Sequence, residues 1–167
     1  RAASTAAGVL AERSDNLSPS FDEGLLEIDL EPWSGLTADE RAERYPEEFA
    51  TWKRHPEVLE LTRADERRYK PLQDLMQQAR EFLDALIRKH PVDGNDTVLI
   101  VGHNAILRCL IVTMLGEPEQ GFRRLRLDNA SLSIFNLSPK GDGHQVQIEC
   151  LNSTAHLKPP LPSKGKG

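Results

Sequence analysis

The sequence predicts an α/β fold with a mostly parallel sheet flanked by helices on both faces. Residues 71–90 carry apolar side chains at three- and four-residue steps, which predicts a long amphipathic helix. The run TVLIVG at 97–102 has the unbroken apolar character of a strand buried on both faces of a parallel sheet. A mostly buried helix is predicted directly after it, ending at Gly116. Helices that alternate with strands in this way are typical of the α/β class.

Length and charge limit the classes of protein to consider. The chain has 167 residues, of which 38% are hydrophobic, enough for one packed α/β domain. A net charge of -5 provides no basic surface to attract nucleic acid or an anionic membrane. The longest apolar stretch, 105–115, is too short to span a bilayer. We therefore expect a soluble, cytoplasmic protein with no nucleic-acid or membrane partner.

The two cysteines favour a reducing compartment. Cys109 and Cys150 lie far apart and outside any Cys-x-x-Cys pattern. Buried, reduced thiols are therefore expected, with a single disulfide as the alternative.

The first third of the chain alternates helical and extended character. Residues 2–13 are rich in alanine and predict a helix. Residues 24–36, GLLEIDLEPWSGL, place acids between apolar residues before Pro32 and Gly35, which predicts a strand or an extended loop.

Two short helices are predicted next. Thr37 and Glu40 have the spacing of a capping box, which predicts a helix start. Pro46 begins a second helical piece that Pro56 ends. Aromatic side chains at three- or four-residue steps predict packing rather than chemistry: Tyr45, Phe49 and Trp52.

The end of the chain predicts a hairpin and a tail. Residues 131–137 and 145–151 read as two strands joined by the turn SPKGDG, which predicts an antiparallel hairpin at the sheet edge. Residues 158–167, KPPLPSKGKG, predict a disordered tail.

His103 stands at a chemically meaningful junction. In an open parallel sheet, ligands bind beyond the carboxyl ends of the strands, where the positive end of a following helix attracts anions. His103 directly follows the predicted strand, so its imidazole could contact a phosphate. The alternative is a histidine that caps its own helix, and position alone does not decide between them.

Three segments, taken in order, give the chain a family resemblance. RAASTA, LLEIDLEPWSGL and VLIVGHNAILRCLIVTMLG resemble motif blocks of the histidine phosphatase superfamily, which has the phosphoglycerate mutase-like fold. The resemblance implies that Arg1 binds phosphate and that Glu27 is the acid that protonates the leaving oxygen. It also implies that His103 is the second histidine of the pocket, with Asn104 beside it as a further phosphate contact. LNSTAHL looks like the closing segment of the family.

These roles suit phosphomonoester chemistry. The reaction needs an in-line nucleophile, donors around the phosphate oxygens and an acid for the departing alkoxide. Arg1 could hold two phosphate oxygens at once. Apolar neighbours of Glu27 predict a setting that favours its neutral form: Leu25, Leu26, Ile28 and Trp33. From residue type alone, other acids compete for the role of Glu27: Glu23, Asp29 and Glu31.

Two departures from the family pattern stand out. Glu31 and Pro32 occupy a place where the family usually has a glycine, which changes the loop beside the acid. The Arg-His-Gly segment, which in the family supplies the nucleophilic histidine on a central strand, is absent. The remaining histidines are interpreted as surface or capping residues: His55, His90, His144 and His156. We therefore expect residues 1–157 to be the carboxyl-terminal portion of a single histidine phosphatase domain that lacks its first central strand, folds poorly and is inactive alone.

The resemblance implies hydrolysis of a small phosphorylated metabolite, such as a sugar phosphate, through a phosphohistidine. No cofactor or metal is expected. A mutase of the same fold and a non-catalytic phosphate-binding scaffold are the alternatives, and the short interval between Glu27 and His103 favours hydrolysis over the mutase. The oligomeric state is not fixed by the sequence, and a homodimer stays open.

Overall fold

The computed structural model describes residues 1–14, 17–141 and 143–157. The chain divides into two compact units, Arg1–Leu125 and Arg126–Gly167. The tail predicted over 158–167 lies outside the described residues. The single domain predicted over 1–157 stays a prediction.

The main core of the first unit forms where α4 (Pro71–Lys89) packs against α5 (Asn104–Met114). Pro71 opens α4 at a position where its missing N–H costs nothing, as the sequence predicts. Each large side chain buried here stabilises the fold by about 1.5–3 kcal/mol. The core contains these fully or almost fully buried residues: Leu72, Leu75, Met76, Ala79, Ile106, Cys109, Leu110, Val112 and Phe122.

Gly116 stops helix α5, as predicted, two residues after its last residue, Met114. This glycine has φ +65°, a left-handed conformation that strains other residues. The Gly116 N–H donates to the Thr113 carbonyl at 3.1 Å, and the Glu117 N–H donates to the Val112 carbonyl at 3.0 Å. The last turn of the helix is thereby closed.

A second buried cluster, which we call the aromatic cluster, contains Trp33, Phe49, Leu59 and Leu61. Phe49 belongs to α3 (Pro46–Arg54), which follows α2 (Ala38–Arg44). The capping box at Thr37 and Glu40 is confirmed, with both reciprocal hydrogen bonds present. Trp33 is fully buried and meets Phe49 edge to face at 5.9 Å between ring centroids. The packing role predicted for the aromatic stripe is therefore confirmed.

A short hairpin that the sequence did not predict follows the aromatic cluster. Strands β1 (Leu61–Thr62) and β2 (Arg68–Tyr69) pair antiparallel, with Leu61 opposite Tyr69. Two-residue strands carry too little periodicity to be recognised in a sequence.

The second unit contains the predicted hairpin. Strands β3 (Leu132–Lys140) and β4 (Gly143–Ser153) pair antiparallel, with Asn136 opposite Gln147. Asn152 fixes the start of this unit, because its side chain both accepts from the Asp128 N–H at 2.7 Å and donates to the Asp128 carboxylate at 3.0 Å.

The parallel sheet predicted from the sequence stays a prediction, because the described residues contain no parallel pair of strands. In the described part of the chain both ladders are antiparallel, and residues 97–103 belong to neither. Val98 and Leu99 are 41% and 61% exposed rather than buried. The apolar run predicts a buried strand, but a strand exists only through hydrogen bonds to a neighbour, and the described residues place none beside it.

Both cysteines are free, so the disulfide alternative is wrong. Cys109 is buried as predicted, whereas Cys150 on β4 is only half-buried.

Candidate active site

The carboxylate of Glu27 lies at the amino end of α5. Its oxygens accept hydrogen bonds from the backbone N–H groups of Ala105 and Ile106, both at 3.2 Å. A third backbone donor, the Ile28 N–H, lies 2.8 Å from the same carboxylate. Residues separated by 78 positions in the chain are thus joined by one side chain.

His103 occupies the residue position immediately before α5. Its backbone is extended, with φ -96° and ψ 168°, and its side chain makes no capping hydrogen bond to the helix. Glu27 therefore supplies the acceptor that a serine or aspartate at position 103 would normally provide. The alternative that His103 caps its own helix through its ring is wrong, and its half-buried imidazole lies beside the helix end that holds Glu27.

The segment carrying Glu27 is held on one side by α4. Gln78 donates from Nε2 to the Gly24 carbonyl at 3.1 Å and to the Leu26 carbonyl at 2.9 Å. The apolar setting predicted around Glu27 is present only in part. Ile28 packs against the main core, whereas the Leu26 side chain is 60% exposed.

The β1–β2 hairpin holds the other side of this segment. The Tyr69 hydroxyl donates to the Asp29 carbonyl and accepts from the Glu31 N–H, both at 3.2 Å. Arg63 donates to the carboxylates of Asp29 and Glu31, the latter at 2.8 Å. The Ala64 N–H donor and the Arg63 guanidinium lower the pKa of Glu31. Asp29 and Glu31, which compete with Glu27 on residue type alone, are therefore engaged as anions with this hairpin.

Arg108 places a cationic side chain one turn into α5. Its guanidinium lies 3.8 Å from the centre of the Phe122 ring and donates to the Phe122 carbonyl. Burial lowers the pKa of Arg108, and the positive charge of Arg123 lowers it further, while Glu27 acts in the opposite direction. Glu27 thus lies within electrostatic range of an arginine absent from the predicted site.

Arg1 and Asn104 are placed differently from each other. Asn104 is the exposed first residue of α5, next to His103. Arg1 is exposed at the start of α1 (Ala2–Ala11), the helix predicted there. In the residues that the structure describes, no hydrogen bond or ion pair joins the Arg1 side chain to Glu27 or His103. Glu27 thus binds the helix end at which His103 and Asn104 lie, whereas Arg1 precedes a different helix.

The other four histidines either pair with an acid or are exposed to solvent. His90 pairs with Asp96 at 2.7 Å, and His55 with Glu57 at 3.3 Å. His144 and His156 are exposed residues of the second unit. This arrangement agrees with the surface interpretation of these four side chains.

Across 1–14, 17–141 and 143–157, no set of three or more His, Cys, Asp and Glu side chains is arranged to hold a metal ion. Over the same residues, no helix has the length and apolar character needed to cross a membrane.

Comparison with known proteins decides the family. Residues 1–152 match the family model described as the histidine phosphatase superfamily, branch 1. The chain belongs to this superfamily. The resemblance carried by the three motif blocks is thereby confirmed.

Curated relatives include phosphatases of small metabolites. The chain is 29% identical over 142 residues to phosphoserine phosphatase 1 of Hydrogenobacter thermophilus, covering 85% of this chain and 62% of that protein. It is 28% identical over 152 residues to 2-carboxy-D-arabinitol-1-phosphatase of Triticum aestivum, covering 91% of this chain and 28% of that protein. The chain therefore spans less than two thirds of either relative.

Solved structures of the same fold align over most of the chain. YhfR of Bacillus stearothermophilus superposes with a TM-score of 0.75 at 26% identity, over 95% of this chain and 72% of that one. A structure from Escherichia coli, described as a putative alpha-ribazole-5'-P phosphatase, gives a TM-score of 0.73 at 21% identity, over 92% of this chain and 69% of that one. These matches support the α/β class.

Three residues around Glu27 were not predicted from the sequence: Arg63, Tyr69 and Gln78. Gln78 is one of several polar residues in α4, and no periodic pattern distinguishes it from the others. Arg63 and Tyr69 lie on the unpredicted hairpin, more than thirty positions from their partners. The one available signal was Glu31 itself, an acid where the family usually has glycine.

Proposed function

We propose that the complete protein hydrolyses phosphomonoesters through a phosphohistidine intermediate, with Glu27 as the acid and His103 as a phosphate contact. The observation that carries this proposal is that the Glu27 carboxylate binds the amino end of α5, which His103 directly precedes, in a chain that belongs to the histidine phosphatase superfamily. The nucleophilic histidine would come from outside these 167 residues. His55 and His90 are engaged with Glu57 and Asp96, which supports an external source.

The reaction follows from the chemistry of the site. A histidine nitrogen attacks phosphorus, the bond to the leaving oxygen breaks, and Glu27 gives a proton to that oxygen. Because the Glu27 carboxylate accepts three backbone N–H bonds, it must take up this proton before it can act as the acid. Water then attacks the phosphohistidine and releases inorganic phosphate. His103 stabilises negative charge on the phosphate oxygens. Arg1 and Asn104 would complete the phosphate contacts.

We propose a small phosphorylated metabolite, such as a sugar phosphate, as the substrate class. The named activities of the relatives, on phosphoserine and on 2-carboxy-D-arabinitol 1-phosphate, support this class. Neither a metal nor an organic cofactor enters the proposed steps.

We further propose that residues 97–102 form an inner strand of a parallel sheet in the complete protein. Their apolar composition and the exposed side chains of Val98 and Leu99 support a partner strand on this segment. A chain without that partner is expected to fold poorly and to be inactive alone. Circular dichroism of the 167-residue chain against the complete protein tests this expectation.

The function is tested on the complete protein with p-nitrophenyl phosphate. We expect phosphate release and an acid-labile, base-stable phosphoenzyme. A phosphoenzyme that returns its phosphate to an acceptor alcohol, with little release of inorganic phosphate, would instead establish the mutase. Folded protein with neither turnover nor labelling would leave the non-catalytic scaffold.

The roles of Glu27 and His103 are tested separately. Glu27→Gln should reduce turnover of alkyl phosphates by about 10²-fold or more, and that of p-nitrophenyl phosphate much less, because nitrophenolate leaves without a proton. Equal losses would assign the acid to another residue. His103→Ala should reduce turnover of both substrates by about 10²–10³-fold, the cost of losing one charge-stabilising donor. Near-normal turnover would exclude His103 from the pocket.

A further inference from the structure

The path of the chain around Glu27 is set by side chains rather than by regular structure. Residues 26–30 belong to neither a helix nor a strand. Backbone hydrogen bonds close only the short turns at the two ends, from Leu26 to Glu23 and from Trp33 to Leu30. Between these turns, contacts made by other elements must fix where the Glu27 carboxyl group lies.

Tyr69 makes the most specific of these contacts. Its hydroxyl bridges the Asp29 carbonyl and the Glu31 N–H at 3.2 Å each, so it both donates to and accepts from the same short stretch of backbone. Burial raises the pKa of Tyr69, and the nearby Asp29 carboxylate raises it further. The hydroxyl therefore keeps its proton, and with it the bridge, at neutral pH.

Arg63 reinforces the same contact. Its guanidinium carbon lies 4.2 Å from the centre of the Tyr69 ring, and its NH1 group donates to both Asp29 and Glu31. The Glu31 carboxylate also accepts from the Ala64 N–H at 2.9 Å. The acid that replaces the family's glycine is thus the group by which the hairpin holds this segment.

We propose that Tyr69 and Arg63 are positioning residues that set the location of the Glu27 carboxyl group for proton transfer. The inference rests on the proposed function, because this location matters to turnover only if Glu27 delivers a proton. Asp29 is only two residues from Glu27 in a segment without regular structure, so we expect a displacement at Asp29 to shift the Glu27 backbone. A displacement of about 1 Å in a reacting group lowers a rate by as much as about 10²-fold.

The test compares variants of the complete protein on two substrates, p-nitrophenyl phosphate and glycerol phosphate. Tyr69→Phe removes only the bridging hydroxyl and should lower kcat on glycerol phosphate about tenfold, with less than about twofold loss on p-nitrophenyl phosphate. Arg63→Gln should produce the same asymmetry. The control is Arg67→Ala, which removes an exposed arginine of the same hairpin whose partner is Asp65. It should change neither rate.

A second arm identifies the route of the effect. In a Glu27→Gln background, Tyr69→Phe should cause no further loss on glycerol phosphate, because the group that it positions is gone. Equal losses on both substrates, or full additivity with Glu27→Gln, would overturn the positioning role while leaving the phosphatase activity established. An unmutated protein without turnover would overturn the proposed function and this inference with it.

Discussion

Removal of the Glu27 carboxylate should destabilise the fold by a predictable amount. Glu27→Ala leaves the N–H groups of Ala105 and Ile106 without their acceptor, and loss of a helix cap costs about 0.5–2 kcal/mol. It also removes a negative charge from the positive end of α5, which costs about 0.3–1 kcal/mol. We therefore expect a loss of about 1–3 kcal/mol in the free energy of unfolding, and about 2–4 °C in Tm for each of those kcal/mol.

Urea unfolding of the complete protein, followed by circular dichroism, measures this loss. Glu27→Gln keeps an acceptor oxygen and should lose only the charge contribution, about 0.3–1 kcal/mol. Glu23→Ala serves as the control, since this exposed side chain accepts no hydrogen bond among the described residues. Amide hydrogen exchange should quicken at Ala105 and Ile106 in Glu27→Ala. A loss below about 0.3 kcal/mol, with exchange unchanged at both amides, would refute the capping role of Glu27.

Three further predictions concern single residues. Gly116→Ala should destabilise the protein by about 1 kcal/mol, because Gly116 has φ +65°. Gly8→Ala, in the middle of α1 and with equally open space around it, should stabilise the protein by about 0.5–1 kcal/mol. Urea unfolding compares the two variants, and equal effects would contradict the backbone argument. Burial raises the pKa of Cys109 to about 12, so Ellman's reagent at pH 8 should leave this thiol unmodified until guanidinium is added. Hydrogen bonding to Asn152 lowers the pKa of Asp128 below its usual 3.8, so Asp128 binds fewer protons in the folded state than in the unfolded state. Its contribution to stability is therefore present above pH 3.8 and is lost as the pH falls through the folded pKa. Asp128→Asn should therefore flatten the acid limb of the stability profile, and an unchanged limb would count against this pair.

Local signals predicted the helices well. The capping box at Thr37 lies within four residues, and the stop at Gly116 depends on one backbone conformation, so both are legible in sequence. The cap of α5 is different, because its acceptor comes from Glu27, 78 positions away. No pattern around residue 103 indicates that partner, and only the family resemblance joined the two residues.

The errors arose where a structure depends on a distant neighbour. Residues 97–102 have the composition of an inner strand, but strand formation requires a partner that composition cannot supply. The hairpin of Arg63 and Tyr69 is too short to produce an alternating pattern, although it holds the segment beside Glu27. The side chains proposed to position Glu27 were therefore missed, and the role of Glu27 as the acid stays a prediction from the family resemblance.

The long separation between Glu27 and α5 also has a kinetic consequence. The backbone hydrogen bonds of the 19-residue helix α4 join residues close in sequence, so this helix can form early in folding. The hydrogen bond between Glu27 and Ala105 instead closes a loop across 78 positions. We expect such a contact to form after the transition state, so its loss should leave the folding rate almost unchanged and speed unfolding. The Glu27 carboxylate, which we propose transfers a proton, should thus also slow unfolding and prolong the lifetime of the native state.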